Sequence, residues 1–284
     1  MPTKTKIKIA FGVAINAAVI YYSVKALRGL GTGAIMHEHI NWSFMAASVI
    51  VYIFANYIRG LAFTRGIDRN IDRLTAFEIV GIGHALNMVL PLHAGEGLRA
   101  VFFPKDYSAV RRTNLLLIAA AADFIAIMII SVLSVPFAGF RNSVLLKALW
   151  LLCFICVAAA AAFAAAVIFI KKIREYVREY LNAGTLKMMV WVVLSWILLL
   201  LSTWLGIMGM NFFGLFSVRM ALTVFAATNI INFIPASPGA IGFFEYSTVL
   251  GLSGLGVDSA RALAVSLPLH LIQYISLLPL GTVL

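Results

Sequence analysis

Two polar segments, each broken by glycine and proline, interrupt otherwise apolar sequence. The first runs from Asn87 through Pro91, His93, Gly95, Glu96 and Gly97 to Arg99; the second runs from Asn232 through Pro235, Ser237, Pro238, Gly239 and Gly242 to Glu245. Proline ends a helix, and glycine lets the chain turn and start another. A restarted helix presents unpaired N–H groups and the positive end of its dipole, which suits a phosphate. Restarts near Gly95 and Gly242 would make two such ends. Arg99, three residues after Glu96, either offers a fork of donors to a phosphate or clamps the Glu96 carboxylate. Glu245 either caps its own helix, worth ~0.3–1 kcal/mol, or holds a cation or a proton.

Asp123 follows four alanines in the middle of an apolar run, where an ionised carboxylate costs ~2.5–3.5 kcal/mol to insert in a bilayer. It needs a partner, and the expected one is hydrogen bonding from a hairpin backbone, in a supporting or a ligand-contacting role. His93, beside the first break, is placed to meet a ligand. His84 with Asn87, and His270 with Gln273, suit hydrogen bonds between helices. The histidines lack H-E-x-x-H spacing, so no metal site is expected. The sequence has no Walker loop, G-x-S-x-G elbow or dinucleotide fingerprint, and no cofactor is expected.

The elements that must position these residues are set by composition. The chain has 284 residues, 62% of them apolar and 12% charged, with a mean hydropathy of +0.99. That excludes a water-soluble globule with a polar shell. Apolar runs long enough for a helix to cross a ~30 Å core, without period-two alternation, exclude a β-barrel. The expectation is an all-α polytopic membrane protein. It forms one integral membrane domain, residues 1–284, with no soluble domain.

Six ordinary spans are expected at 7–24, 42–58, 115–137, 144–170, 188–213 and 262–282, with broken segments at 76–104 and 218–252 between them. The first span follows Lys4, Lys6 and Lys8 and has no small-residue cleavage site, so it reads as an uncleaved anchor. The sequence stops at Leu284 directly after an apolar run, which leaves room for a cytoplasmic tail beyond it. The net charge of +11 comes from 22 Lys and Arg in short loops. These loops read as topology signals, not as a nucleic-acid surface. With a cytoplasmic N-terminus and each broken segment returning to the side it entered, most of these cations fall inside, Arg59 among the loop cations counted there. The two segments are then re-entrant helical hairpins dipping in from opposite faces. A weak inverted repeat echoes this: each has an Asn before a Pro, a Gly four residues after that Pro, and a Glu shortly afterwards. Broken segments in corresponding halves mark a transporter's midplane site. The basic stretch at 171–180 reads as an interfacial anchor. Cys153 and Cys156, in an apolar helix, carry no redox or metal signal.

Pro91-x-x-x-Gly95-Glu96-x-x-Arg99, together with Pro235-x-Ser237-Pro238-Gly239-x-Ile241-Gly242-x-Phe244-Glu245 and Gly256-Val257, resembles the lysylphosphatidylglycerol synthase transmembrane-region family, also called flippase-like membrane proteins. The likeness covers nearly the whole chain. That family commonly places Glu-Arg ahead of the membrane Asp, whereas Ala119 and Ala120 stand in those places here. The resemblance implies translocation of a phospholipid, such as an aminoacylated phosphatidylglycerol, across the cytoplasmic membrane. A separate cytoplasmic domain attaches the amino acid in the best-known relatives, so synthesis is not expected of this chain. Other relatives serve lipid-linked sugar or hopanoid pathways, which keeps an intramembrane transferase, or a membrane subunit beside a lipid-modifying enzyme, as the alternative. In the translocation reading the glycine-rich turns and Arg99 hold a phosphate, and Glu96 and Glu245 match an ammonium on a cationic headgroup.

Overall fold

The computed structural model describes residues 40–64, 70–90, 93–134, 143–180, 182–231 and 238–283. The expected span at 7–24 and the candidate residues Pro91, Asn232, Pro235 and Ser237 lie outside them. The described residues are helical throughout, without a strand: α1 Trp42–Ala62, α2 Arg73–Val89, α3 Ala94–Leu98 with a 3-10 turn Arg99–Phe102, and α4 Ala109–Ser134. There follow α5 Ser143–Phe169, α6 Lys171–Tyr180, α7 Ala183–Gly209, α8 Gly214–Ile231, a 3-10 turn Pro238–Ala240, α9 Phe243–Ser253 and α10 Ser259–Val283. Four of these are long and apolar enough to cross a bilayer: Trp42–Ala62, Ala109–Ser134, Ala183–Gly209 and Ser259–Leu277. Large apolar side chains such as Leu133, Phe154, Leu186 and Leu215 point outward, as lipid-facing surfaces require. The protein is a polytopic all-α membrane protein.

Helix boundaries follow local chemistry. Asn41 caps α1 by accepting from Ser43 N at 3.2 Å, and Asp72 caps α2 by accepting from Leu74 N at 2.9 Å and Thr75 N at 3.0 Å. Such caps are worth ~1 kcal/mol each. The Thr75 hydroxyl on Asp72 holds that exposed carboxyl below its ordinary pKa.

The scaffold is the antiparallel pair α1 and α7. Small residues on both faces let the backbones approach closely. Ser48 Oγ donates to Ser202 O at 2.7 Å and Ser202 Oγ donates to Ser48 O at 2.8 Å. At one end Asn41 N meets Gly209 O at 2.8 Å; at the other Ala62 packs on Met188 and Val192.

Both broken segments fold back on themselves, and they enter this scaffold from opposite ends. The start of α2 lies against the C-terminal end of α1, where Gly60 meets the Phe77 backbone. After the break the chain returns along α2, and Phe103 rejoins Phe63, Ile71 and Ile79 at that same end. The other hairpin starts where Ser217 meets Trp204 at 2.9 Å, near the C-terminus of α7 and so the N-terminal end of α1. Its return helix α9 runs back along α8, Gly251 on Thr223 and Ala227. It finishes with Leu252 in the cluster of Met45, Met210 and Met220. The two tips meet inside the bundle: the Pro238–Ala240 turn packs on α2, with Gly239 beside the Met88 carbonyl.

Candidate functional site at the meeting of the hairpins

The first hairpin is held by a buried arginine. Arg99 is 2% exposed, and its Nη2 donates to Glu96 Oε1 at 2.7 Å. Asn87 Nδ2 donates to the same oxygen at 2.9 Å. The pairing that the i, i+3 spacing of Glu96 and Arg99 allowed is therefore made. Two glycines permit it. A Cβ on Gly83 would overlap the Arg99 side chain, and one on Gly95 would overlap the Gly83 carbonyl. Glu96 remains 44% exposed on its side chain. His93, N-cap of α3 in a left-handed conformation (φ 52°), is exposed at the tip.

Asp123 finds its partner on another helix, not on a hairpin backbone as expected. Its Oδ1 lies 3.3 Å from Arg59 Nε and accepts from Trp196 Nε1 at 2.8 Å. Arg59 also sits over the Trp196 ring, 4.3 Å from its centroid, a cation–π contact worth ~2 kcal/mol when desolvated. Placing Arg59 among the loop cations is thus corrected: α1 continues past residue 58 to Ala62 and buries Arg59 to 5% exposure. A carboxylate in low dielectric draws in the nearest fixed cation, and α1 supplies it where the Glu-Arg before Asp123 is missing.

Next to Arg59, the hydrogen bonds define the His84 tautomer. Asn56 Nδ2 donates to Tyr52 O at 2.9 Å, so Asn56 Oδ1 is the acceptor for His84 Nδ1 at 2.8 Å. The Nδ1 of His84 therefore carries the hydrogen, and its Nε2 lone pair faces Arg59 Nη1 at 3.5 Å. Asn56, Arg59, His84 and Asn87 line a cavity of about 160 Å³, with Trp196, Thr228, Asn229, Phe244 and Gln273 also in its wall.

The second hairpin is pinned by a histidine. His270 on α10 is 5% exposed; its Nδ1 lies 2.6 Å from Glu245 Oε1 and its Nε2 2.7 Å from Gly239 O. Both ring nitrogens face acceptors, so the His270 and Glu245 pair holds two protons between imidazole and carboxyl. Glu245 Oε2 also accepts from Gly242 N at 2.6 Å, capping α9. The helix-cap reading of Glu245 is thus met, and the same carboxyl is hydrogen-bonded to His270. At Gly239 (φ 59°) a Cβ would overlap the Tyr274 hydroxyl, so glycine is required for conformation and for space.

The expected site residues are thus brought into three neighbouring groups. Gly95, Glu96 and Arg99 stand together; Pro238, Gly239, Gly242 and Glu245 stand together; Asp123 stands with Arg59 behind the cavity. Neither Glu96 nor Glu245 lines the cavity wall, so the expected match of these two carboxylates to an ammonium has no support there. Reading the sequence missed Arg59, Asn56 and Trp196, and treated His270 as interhelical glue without seeing its carboxylate. Asn56 and Arg59 at i, i+3, followed by three more helical residues, Gly60, Leu61 and Ala62, was the signal available.

Among the described residues no group of three His, Cys, Asp or Glu is placed to hold a metal. Comparison with curated proteins and with solved structures gave no match. A family model described as the lysylphosphatidylglycerol synthase TM region matches residues 9–281, and the chain belongs to that family.

Proposed function

We propose that the protein moves a phospholipid headgroup between the leaflets of the cytoplasmic membrane, with its N-terminus on the cytoplasmic side. The substrate is an aminoacylated phosphatidylglycerol or another lipid-linked headgroup, delivered by a lipid-modifying partner enzyme. One observation carries the reading: two hairpins enter the bundle from opposite ends and their tips meet beside a buried polar cavity. A charged headgroup crossing hydrocarbon must be matched along its way. Irregular backbone at membrane depth persists only where it is buried in protein or lines such a space. In this reading the hairpins are re-entrant, each opening toward one face, and alternate exposure of the tips passes the headgroup while the acyl chains stay in lipid.

The test is translocation by the purified protein alone in liposomes carrying fluorescent phospholipids, read as the fraction that an impermeant reductant bleaches. Transfer above that of empty liposomes supports the proposal. Absence of transfer for every lipid offered, with turnover of a lipid donor, overturns it in favour of an intramembrane transferase.

A further inference from the structure

We infer that the cavity between α1, α2, α7, α8 and α10 is an oxyanion subsite, with Arg59 as its cation, that takes the phosphate of the lipid and not its amine. This rests on the translocation reading for the source of the phosphate, but the subsite itself stands on geometry. Among the described residues Arg59 is the one permanently charged side chain in the wall, and none of the carboxylates lines it. Its Nε lies 3.3 Å from Asp123 Oδ1 as an ion pair, and neither Nε nor Nη2 has a hydrogen-bond partner among the described residues. Asp123 therefore neutralises the guanidinium from behind while the other edge keeps donors to spare.

Asn87 also lines the wall, but its amide is turned to the first hairpin: Nδ2 donates to Glu96 Oε1 and Oδ1 packs on Gly95. A buried guanidinium donor without a partner costs ~1–3 kcal/mol, and an anionic oxygen relieves it. His84, with its lone pair toward Arg59, adds no competing charge.

The experiment uses the full chain in neutral detergent, titrated with dihexanoyl phosphatidylglycerol, inorganic phosphate or dihexanoylglycerol. The readout is tryptophan emission, with W196F showing which part of the signal comes from the ring under Arg59. Saturable binding of phosphatidylglycerol is expected, and none of dihexanoylglycerol. The pair R59Q/D123N removes both charges and orphans neither; it weakens binding about tenfold or more, the loss expected for a charge-assisted hydrogen bond. R59K, which keeps Asp123 partnered but loses the fork, weakens binding less and guards against a folding artefact. Affinity within about twofold of the native chain in both variants, or equal binding of dihexanoylglycerol, overturns the subsite. Inorganic phosphate binding as tightly as the lipid supports the oxyanion site and assigns it to a free anion. Lipid binding without transfer in liposomes leaves the subsite standing and removes the translocation reading instead.

Discussion

Arg59 faces two ways: Nε meets Asp123, and the rest of the guanidinium lies between Trp196, His84 and the cavity. A buried pair of this kind is costly to break from one side, because the remaining ion is left in low dielectric. R59Q alone and D123N alone should each destabilise by about 3–5 kcal/mol, and R59Q/D123N by far less than their sum. Thermal unfolding midpoints in detergent measure this. Additive losses would mean that the two side chains do not act as a pair. The same reasoning gives His270 its importance, since it ties Glu245 and the Gly239 carbonyl to α10.

Among elements, the contrast is between a rigid pair and two tips. α1 and α7 are closed by the reciprocal bonds of Ser48 and Ser202, whereas among the described residues the tips meet through the Pro238–Ala240 turn beside the Met88 carbonyl. Bridging M45C to G209C, across the same helix pair but away from the cavity, should therefore leave lipid transfer unchanged. Bridging M88C to A240C with a short bifunctional maleimide, in a chain lacking Cys153 and Cys156, should stop it. Equal transfer in both bridged proteins would show that the tips do not move. Most elements were legible in the sequence because hydropathy and the proline and glycine breaks report backbone cost directly. The expected spans at 42–58, 144–170 and 262–282 correspond to α1, α5 and α10 to within a few residues. What stayed hidden were the partners across helices. Glu245 lies 25 residues from His270, and Asp123 lies 73 residues from Trp196. No local spacing encodes such contacts. Arg59 was hidden for a further reason: a charge near a helix end looks like a loop residue until packing shows it buried.

At the scale of the whole molecule, hairpins that open at opposite ends set a clear orientation. Asp106, beyond the first hairpin, and Asp258, beyond the second, lie at opposite ends of the scaffold. With basic loops inside, a cysteine at 106 should react with an impermeant maleimide only from the cytoplasmic face and one at 258 only from the other. Labelling of both from one face would remove the inverted arrangement. The proposed passage of a lipid headgroup is tested by the initial rate at which the protein alone, in liposomes, brings fluorescent phosphatidylglycerol to the opposite leaflet, compared with R59Q/D123N. Transfer well above empty liposomes is expected for the native chain, with most of it lost in the variant. Transfer no faster than in empty liposomes would contradict the proposal.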